Sequence, residues 1–302
     1  MLLDRFFKKV KARIGDTSKL DNIQLALGRI EKRQLDSLGY NNPIQWEFQV
    51  SSQWGEDGII QFLVGKVPIL NKIFIEFGVE NYTEANTRFL LQNNYWSGLV
   101  IDGNEKSIEQ IKKSDLYWRY NLKAHSAFID KDNIDKIIGS NGINGDIGLL
   151  SVDIDGNDYW VWQAINSVQA RIVVCEYNSL FGSSARVSIP YESTFNRNAK
   201  GRPVTYYGAS IAALTFLAQK KGYELVAGNS AGNNIFFVKK EYLNGLKPIT
   251  MEEAYVRPAF RESRNADGTL SFKGFDEARR ELSEFTVVDV ENNKEILIKD
   301  II

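Results

Sequence analysis

The chain has 302 residues, 43% of them hydrophobic and 25% charged, which is ample for one sizeable α/β domain with appendages and excludes disorder along its whole length. A formal charge of −1 removes the global positive field that would draw in DNA or RNA, so no nucleic acid partner is expected. With no leader-like segment and no apolar run of about 18 residues, the expected location is the cytoplasm.

Residues 1–14 place Leu2, Leu3, Phe6, Phe7, Val10 and Ile14 on one helical face, with Arg5, Lys8, Lys9, Lys11 and Arg13 largely on the other. Such a helix suits a peripheral contact with an anionic membrane or, the more common case, docking on its own domain or on a second copy. A second helix, Leu20 to Leu38, carries Leu20, Ile23, Leu27 and Ile30 at spacings of three and four, which suits a helix pair or a short coiled coil. Residues 1–40 thus read as a helical appendage for docking or homo-oligomer formation.

After an extended stretch over 41–52, the helix Gly55 to Val67 begins with a polar preface in which Gln53, Glu56 and Asp57 cluster. Either the preface faces a ligand or its acids merely complement the helix dipole. Ile73, Phe74, Ile75 and Phe77 then form a short apolar run ending in Glu76 and Gly78, followed by a helical segment Glu84 to Gln92. This is the pattern of a buried parallel strand delivering a loop to a helix start. The next strand, Ser97 to Asp102, also ends in an acid, about 25 residues on, near the spacing at which open α/β nucleotide sites place a ribose-binding carboxylate.

The alternation continues. Helix Glu105 to Lys113, strand Asn121 to Ile129, helix Asp132 to Ile138, strand Gly148 to Asp153, helix Tyr159 to Val168 and strand Arg171 to Glu176 follow in turn. Alternating strands and helices imply a doubly wound, mostly parallel sheet covered on both faces. Cys175, the only cysteine, lies inside the last of these strands and reads as a buried thiol. The loop Leu180 to Tyr207 carries Arg186, Tyr191, Arg197, Arg202, Tyr206 and Tyr207; it is placed to close over a substrate, the alternative being a solvated insertion. Helix Ala209 to Lys220 leads to a hairpin of Tyr223 to Ala227 and Asn234 to Lys239, and Leu243 to Ile302 suggests a capping extension.

The fourth strand ends in Asp153, Asp155 and Asp158, and the fifth in Glu176, Tyr177 and Asn178. Asp155, Glu176 and Asn178 make an oxygen-only set suited to Mg²⁺ or Mn²⁺, which would orient an acceptor hydroxyl and lower its pKa. The competing reading is metal-free, with one carboxylate as base and the others capping a helix or binding a cofactor. His125, the only histidine, stands at the end of the third strand, either as a base or as a structural residue.

Together, FIEFGVENYTEANT, GLVIDGNEKS, GLLSVDIDGNDYWVW, RIVVCEYNS and GYELVAGNSAGNNIFFV resemble a class I S-adenosylmethionine-dependent methyltransferase of the FkbM-like kind, over Gln53 to Lys239. The Gly-rich first loop of that family, E/D-x-G-x-G-x-G, is reduced here to Glu76, Gly78 and Glu80. The resemblance implies a seven-stranded sheet, parallel except for an antiparallel C-terminal hairpin strand, within a domain over 41–240. It implies S-adenosylmethionine held by Gln53, Asp57, Glu76, Gly78, Glu80, Asn86, Asp102, Gly103, Asn104, Ser126, Ala127 and Asp153. Catalysis falls to Asp155, Asp158, Glu176 and His125, and the acceptor to Tyr177, Arg197 and Tyr207. The expected reaction is O-methylation of a carbohydrate or glycan-precursor hydroxyl, the acceptor being a small molecule or activated sugar. The alternatives are N-methylation of an amino sugar or phosphoramide-type acceptor, or a non-catalytic assembly subunit.

Overall fold

The computed structural model describes residues 17–258, 260–265 and 267–301; the amphipathic segment 1–14 lies outside them. Seven strands form the central sheet: β1 (Ile73–Phe77), β2 (Ser97–Asp102), β3 (Leu122–Ser126), β4 (Gly145–Val152), β5 (Val168–Glu176), β7 (Tyr223–Gly228) and β8 (Asn234–Lys239). Their order is β3-β2-β1-β4-β5-β8-β7, and only β8 runs antiparallel to its neighbours. The expected mostly parallel sheet with a hairpin strand is what forms. Its order reverses between β1 and β4, the place where open α/β sheets bind ligands beyond the strand ends.

The apolar runs lack an alternating polar face because both faces of the sheet are covered. On one side Phe74, Val100, Leu149 and Ile172 meet helices α2 (Glu56–Lys66), α3 (Arg88–Asn94) and α4 (Glu105–Lys113). On the other, Ile75, Leu99, Leu150 and Val173 meet α6 (Ile134–Ser140), α7 (Asp158–Ala164) and α8 (Ile211–Lys220). A short helix not anticipated from sequence, α5 (Asp115–Arg119), precedes β3. Helix α3 starts later than expected because the Glu76 carboxylate accepts hydrogen bonds from Asn86 N and Thr87 N, holding that stretch outside the helix. Strand β5 starts earlier, at Val168, where a helix was expected to end.

Helix α1 (Thr17–Leu38) docks through Leu25 on Phe48, Val50 and Phe89. Its regular stripe faces outward instead: Leu20, Ile23, Leu27 and Ile30 are 65, 56, 59 and 57% exposed.

Strand β6 (Val187–Ser188), inside the long loop after β5, pairs with β9 (Thr286–Asp289), which pairs with β10 (Lys294–Leu297). Leu180, Phe181, Val187, Ile189 and Tyr206 from the loop share a core with Ala278 of α9 (Phe275–Glu281), Leu282, Val287 and Ile298. Arg279 donates to Leu180 O and Val290 N to Arg186 O. The loop is therefore neither a solvated insertion nor a free lid; it is one half of a small unit completed by the C-terminal segment. Among the described residues, no helix is long and apolar enough to cross a membrane.

Candidate active site

The carboxyl ends of β1, β2, β4 and β5 open into one cleft of about 720 Å³, within the usual size of small-molecule sites. Its position follows from the loop after β1. Gly78 takes φ +69°, and a Cβ there would stand 1.9 Å from the Asp153 carbonyl oxygen, so only glycine lets the β1 and β4 ends close together. At the rim of β2, Asp102 accepts from Glu80 N at 2.7 Å through one oxygen and from Asn104 N at 2.7 Å through the other. Each oxygen keeps lone-pair capacity toward the cleft.

Gln53, Glu76, Gly78, Glu80, Asn86, Asp102, Gly103, Ala127, Asp153, Asp155, Glu176, Arg197 and Tyr207 all line this cleft. Glu76, although it borders the cleft, is a clamp: it takes Asn86 N at 2.8 Å, Thr87 N at 3.1 Å and the Thr87 hydroxyl. Burial pushes its carboxyl up to about 7. Asn86 in turn donates to Ser151 Oγ at 3.1 Å, tying the loop to β4.

Several expected ligands lie elsewhere. Asp57 turns back beneath the loop before α2, where one oxygen accepts from Val50 N, Ser51 N and Ser52 N at 2.8, 2.6 and 2.7 Å. Asp158 is buried under the β4 turn and accepts from Ile154 N at 2.8 Å and Gly156 N at 3.0 Å. Burial raises both carboxyls to about 6. Asn178 pins the loop rather than facing the cleft: its amide donates to Thr205 O and Tyr207 O, both at 2.9 Å, and its oxygen accepts from Leu180 N. Tyr177 is buried with its hydroxyl against the Val256 backbone. His125 contacts the Asn141 side chain at 3.3 Å on the edge strand, Ser126 is exposed beside it, and Asn104 caps α4.

At the cleft floor Asp153, Asp155 and Glu176 each bring a carboxylate oxygen within 4.8 Å of the others. Asp153 thus stands where Asn178 was expected in the oxygen set. Burial, then the neighbouring acids, drives both Asp153 and Glu176 well above the usual carboxylate range. Arg197 reaches into this cluster. It donates to Asp155 and, at 2.6 Å, to Glu262, gives its Nε–H to Val204 O, and lies 4.0 Å above the Tyr207 ring.

Sequence reasoning missed one wall. Phe260, Arg261, Glu262 and Arg264, from the C-terminal segment, line the cleft opposite Trp54, and Trp54 stacks on Phe260 with ring centroids 5.5 Å apart. The signal was the run PAFRES, an aromatic with alternating charges in a loop without helical or strand period. Asn233 and Asn234, just before and at the start of β8, also line the cleft; sequence reasoning gave them only to the hairpin, as turn and first strand residue.

No protein-family model matches the chain, and no curated protein matches it in sequence. Among solved structures, it is similar to the N-terminal domain of EvdMO1 with SAH bound, at 12% identity over 70% of this chain and 95% of that one, TM-score 0.41. A S-adenosylmethionine-dependent methyltransferase from Clostridium acetobutylicum shares 10% identity over 61% and 90% of the two chains, TM-score 0.39. M. capricolum TrmK, in complex with S-adenosyl-homocysteine, shares 14% over 63% and 72%, TM-score 0.36. The strand order and the single antiparallel strand define the fold of this chain as Rossmann-like, of the class I methyltransferase kind.

Proposed function

We propose that the chain is an S-adenosylmethionine-dependent methyltransferase, FkbM-like in kind, acting on a hydroxyl of a carbohydrate or glycan precursor. One observation carries this reading: the acidic ends of β2, β4 and β5 line a single cleft at the point where the sheet order reverses. The residues fit the cofactor. Gly78 lets the β1 and β4 ends close together at the cleft, and the free lone pairs of Asp102 suit the two ribose hydroxyls. When bound, the cofactor supplies a methyl group on a sulfonium, an excellent leaving group. What remains for the protein is to position the acceptor and take its proton.

Asp153 does the latter. It stands at the end of β4 on the cleft floor, and its raised carboxyl makes it a stronger base than an ordinary aspartate. Arg197 fixes Asp155 and Glu262 to either side and, with Tyr207 beneath it, shapes the acceptor end. The intact acids along the rim speak against a non-catalytic subunit. The exposed stripe of α1 supports self-association, which sedimentation of an Ile23→Glu variant would test.

Titration calorimetry with S-adenosylmethionine and with NAD tests the cofactor, and methyl transfer to a panel of activated sugars tests the acceptor. Absence of S-adenosylmethionine binding would overturn the reading. A second reading adds Mg²⁺ or Mn²⁺ at Asp153, Asp155 and Glu176, favoured by the clustering of their oxygens. Activity undiminished by exhaustive chelation removes it, leaving Arg197 as the resident cation.

A further inference from the structure

Two hydrogen-bond acceptors on the cleft floor have no donor. Glu176 closes β5 and Asn234 opens β8, and they are direct partners in the antiparallel pair. Both line the cleft, at 8 and 3% exposure, and Glu176 Oε2 and Asn234 Oδ1 are each buried without a hydrogen-bond partner. The Asn234 amide is oriented from behind: its Nδ2 donates to Glu56 Oε1 at 3.0 Å, so its oxygen points away from that carboxylate. Side chains at directly opposed positions stand with Cβ atoms roughly 4.5–5.5 Å apart, which sets these two side by side at the cleft.

The nearby guanidinium is turned elsewhere. Arg197 gives its Nε–H to Val204 O and an N–H from each terminal nitrogen to Asp155 and Glu262, and neither orphan oxygen is among its partners. Four carboxyls, Asp153, Asp155, Glu176 and Glu262, share the floor with that guanidinium, so an anionic ligand group is repelled and a cationic one attracted. Sheet order says whose group it is. The β5 end is three strands from the Asp102 rim, about 14 Å at the usual strand spacing, beyond a ribose and on the acceptor side.

Resting on the methyltransferase reading, we infer that the acceptor is an amino sugar whose primary ammonium seats between Glu176 Oε2 and Asn234 Oδ1, leaving Asp153 to the reacting hydroxyl. An ammonium offers three donors from one point, enough for both orphan oxygens, whereas a hydroxyl offers one.

The test is calorimetric, on the full chain saturated with S-adenosylhomocysteine, at a pH where the amine is charged. The probes are D-glucosamine, D-glucose and N-acetyl-D-glucosamine. D-glucosamine is expected to bind at least about tenfold more tightly than the other two. The Glu176→Gln variant, equal in shape but neutral, is expected to bind all three alike while holding S-adenosylhomocysteine as the wild type does. Equal binding of the three sugars by the wild type overturns the proposal, as does a preference that survives Glu176→Gln or an amine that displaces S-adenosylhomocysteine. Failure of S-adenosylhomocysteine itself to bind would instead sink the methyltransferase reading.

Discussion

Replacing Arg197 by Met keeps the apolar stem and deletes the guanidinium, and each interaction that the guanidinium makes can be weighed separately. The ion pair with Asp155 involves a carboxylate whose side chain is 56% exposed, so solvent screening holds it to about 0.5 kcal/mol. The pair with Glu262, 33% exposed at 2.6 Å, is worth about 1 kcal/mol. The Tyr207 contact at 4.0 Å adds roughly 1 kcal/mol. The Val204 carbonyl, left without its donor at 3.0 Å, adds about 1 kcal/mol more. Allowing for imperfect additivity, the expected loss is about 3 kcal/mol, or roughly 5 °C in Tm for a chain of this length. Urea unfolding followed by circular dichroism measures it. Because the variant leaves four carboxyls facing one another, Mg²⁺ should recover part of the loss, and more than it stabilises the wild type. A loss under about 1 kcal/mol would refute the view of Arg197 as the cation that holds the floor together.

Further outcomes follow from the same geometry. Gly78→Ala should cost at least about 2 kcal/mol, since φ +69° is strained for alanine and its Cβ would meet the Asp153 carbonyl; calorimetry should show S-adenosylmethionine affinity falling more than tenfold. Leu282→Ala, at a fully buried position of the C-terminal unit, should cost about 2–5 kcal/mol and expose 180–207 to limited proteolysis. Stability should also depend on pH in an unusual direction. Glu76 at about 7, against an ordinary 4.5, and Asp57 and Asp158 at about 6, against 3.8, bind protons more readily folded than unfolded. Each therefore stabilises the native state when protonated, fully below pH 3.8 or 4.5, and loses that contribution as pH rises toward 6 or 7. Each is worth up to about 3 kcal/mol, so Tm should climb as pH is lowered from 8 toward 5; a flat or opposite trend, measured by differential scanning fluorimetry, would count against it.

The sheet was legible because its central parallel strands, covered on both faces, leave short apolar runs, and those of β1, β2, β4 and β5 carry an acid at or beside their ends. Boundaries slipped where side chains overrule the pattern: the Glu76 carboxylate delays α3, and polar Gln169 hides the first residues of β5. At the site, residue types could be read but not directions. Asp57, Asp158 and Asn178 sit near the cleft in sequence, yet turn away because each finds backbone partners that only the folded loops supply. The tail was opaque for a different reason: Phe260 to Arg264 belongs to no periodic element, and its meeting with Trp54 spans about 200 residues of chain.

The pairing of β6 with β9 bears on how specificity in this chain could be re-engineered. Grafting 180–207 from a homologue would bring only one edge of a three-stranded seam, leaving Val287 and Ile298 without their partners. A working chimera must exchange the tail together with the loop, so new acceptor preferences are expected to arise by concerted change in two distant stretches of the gene.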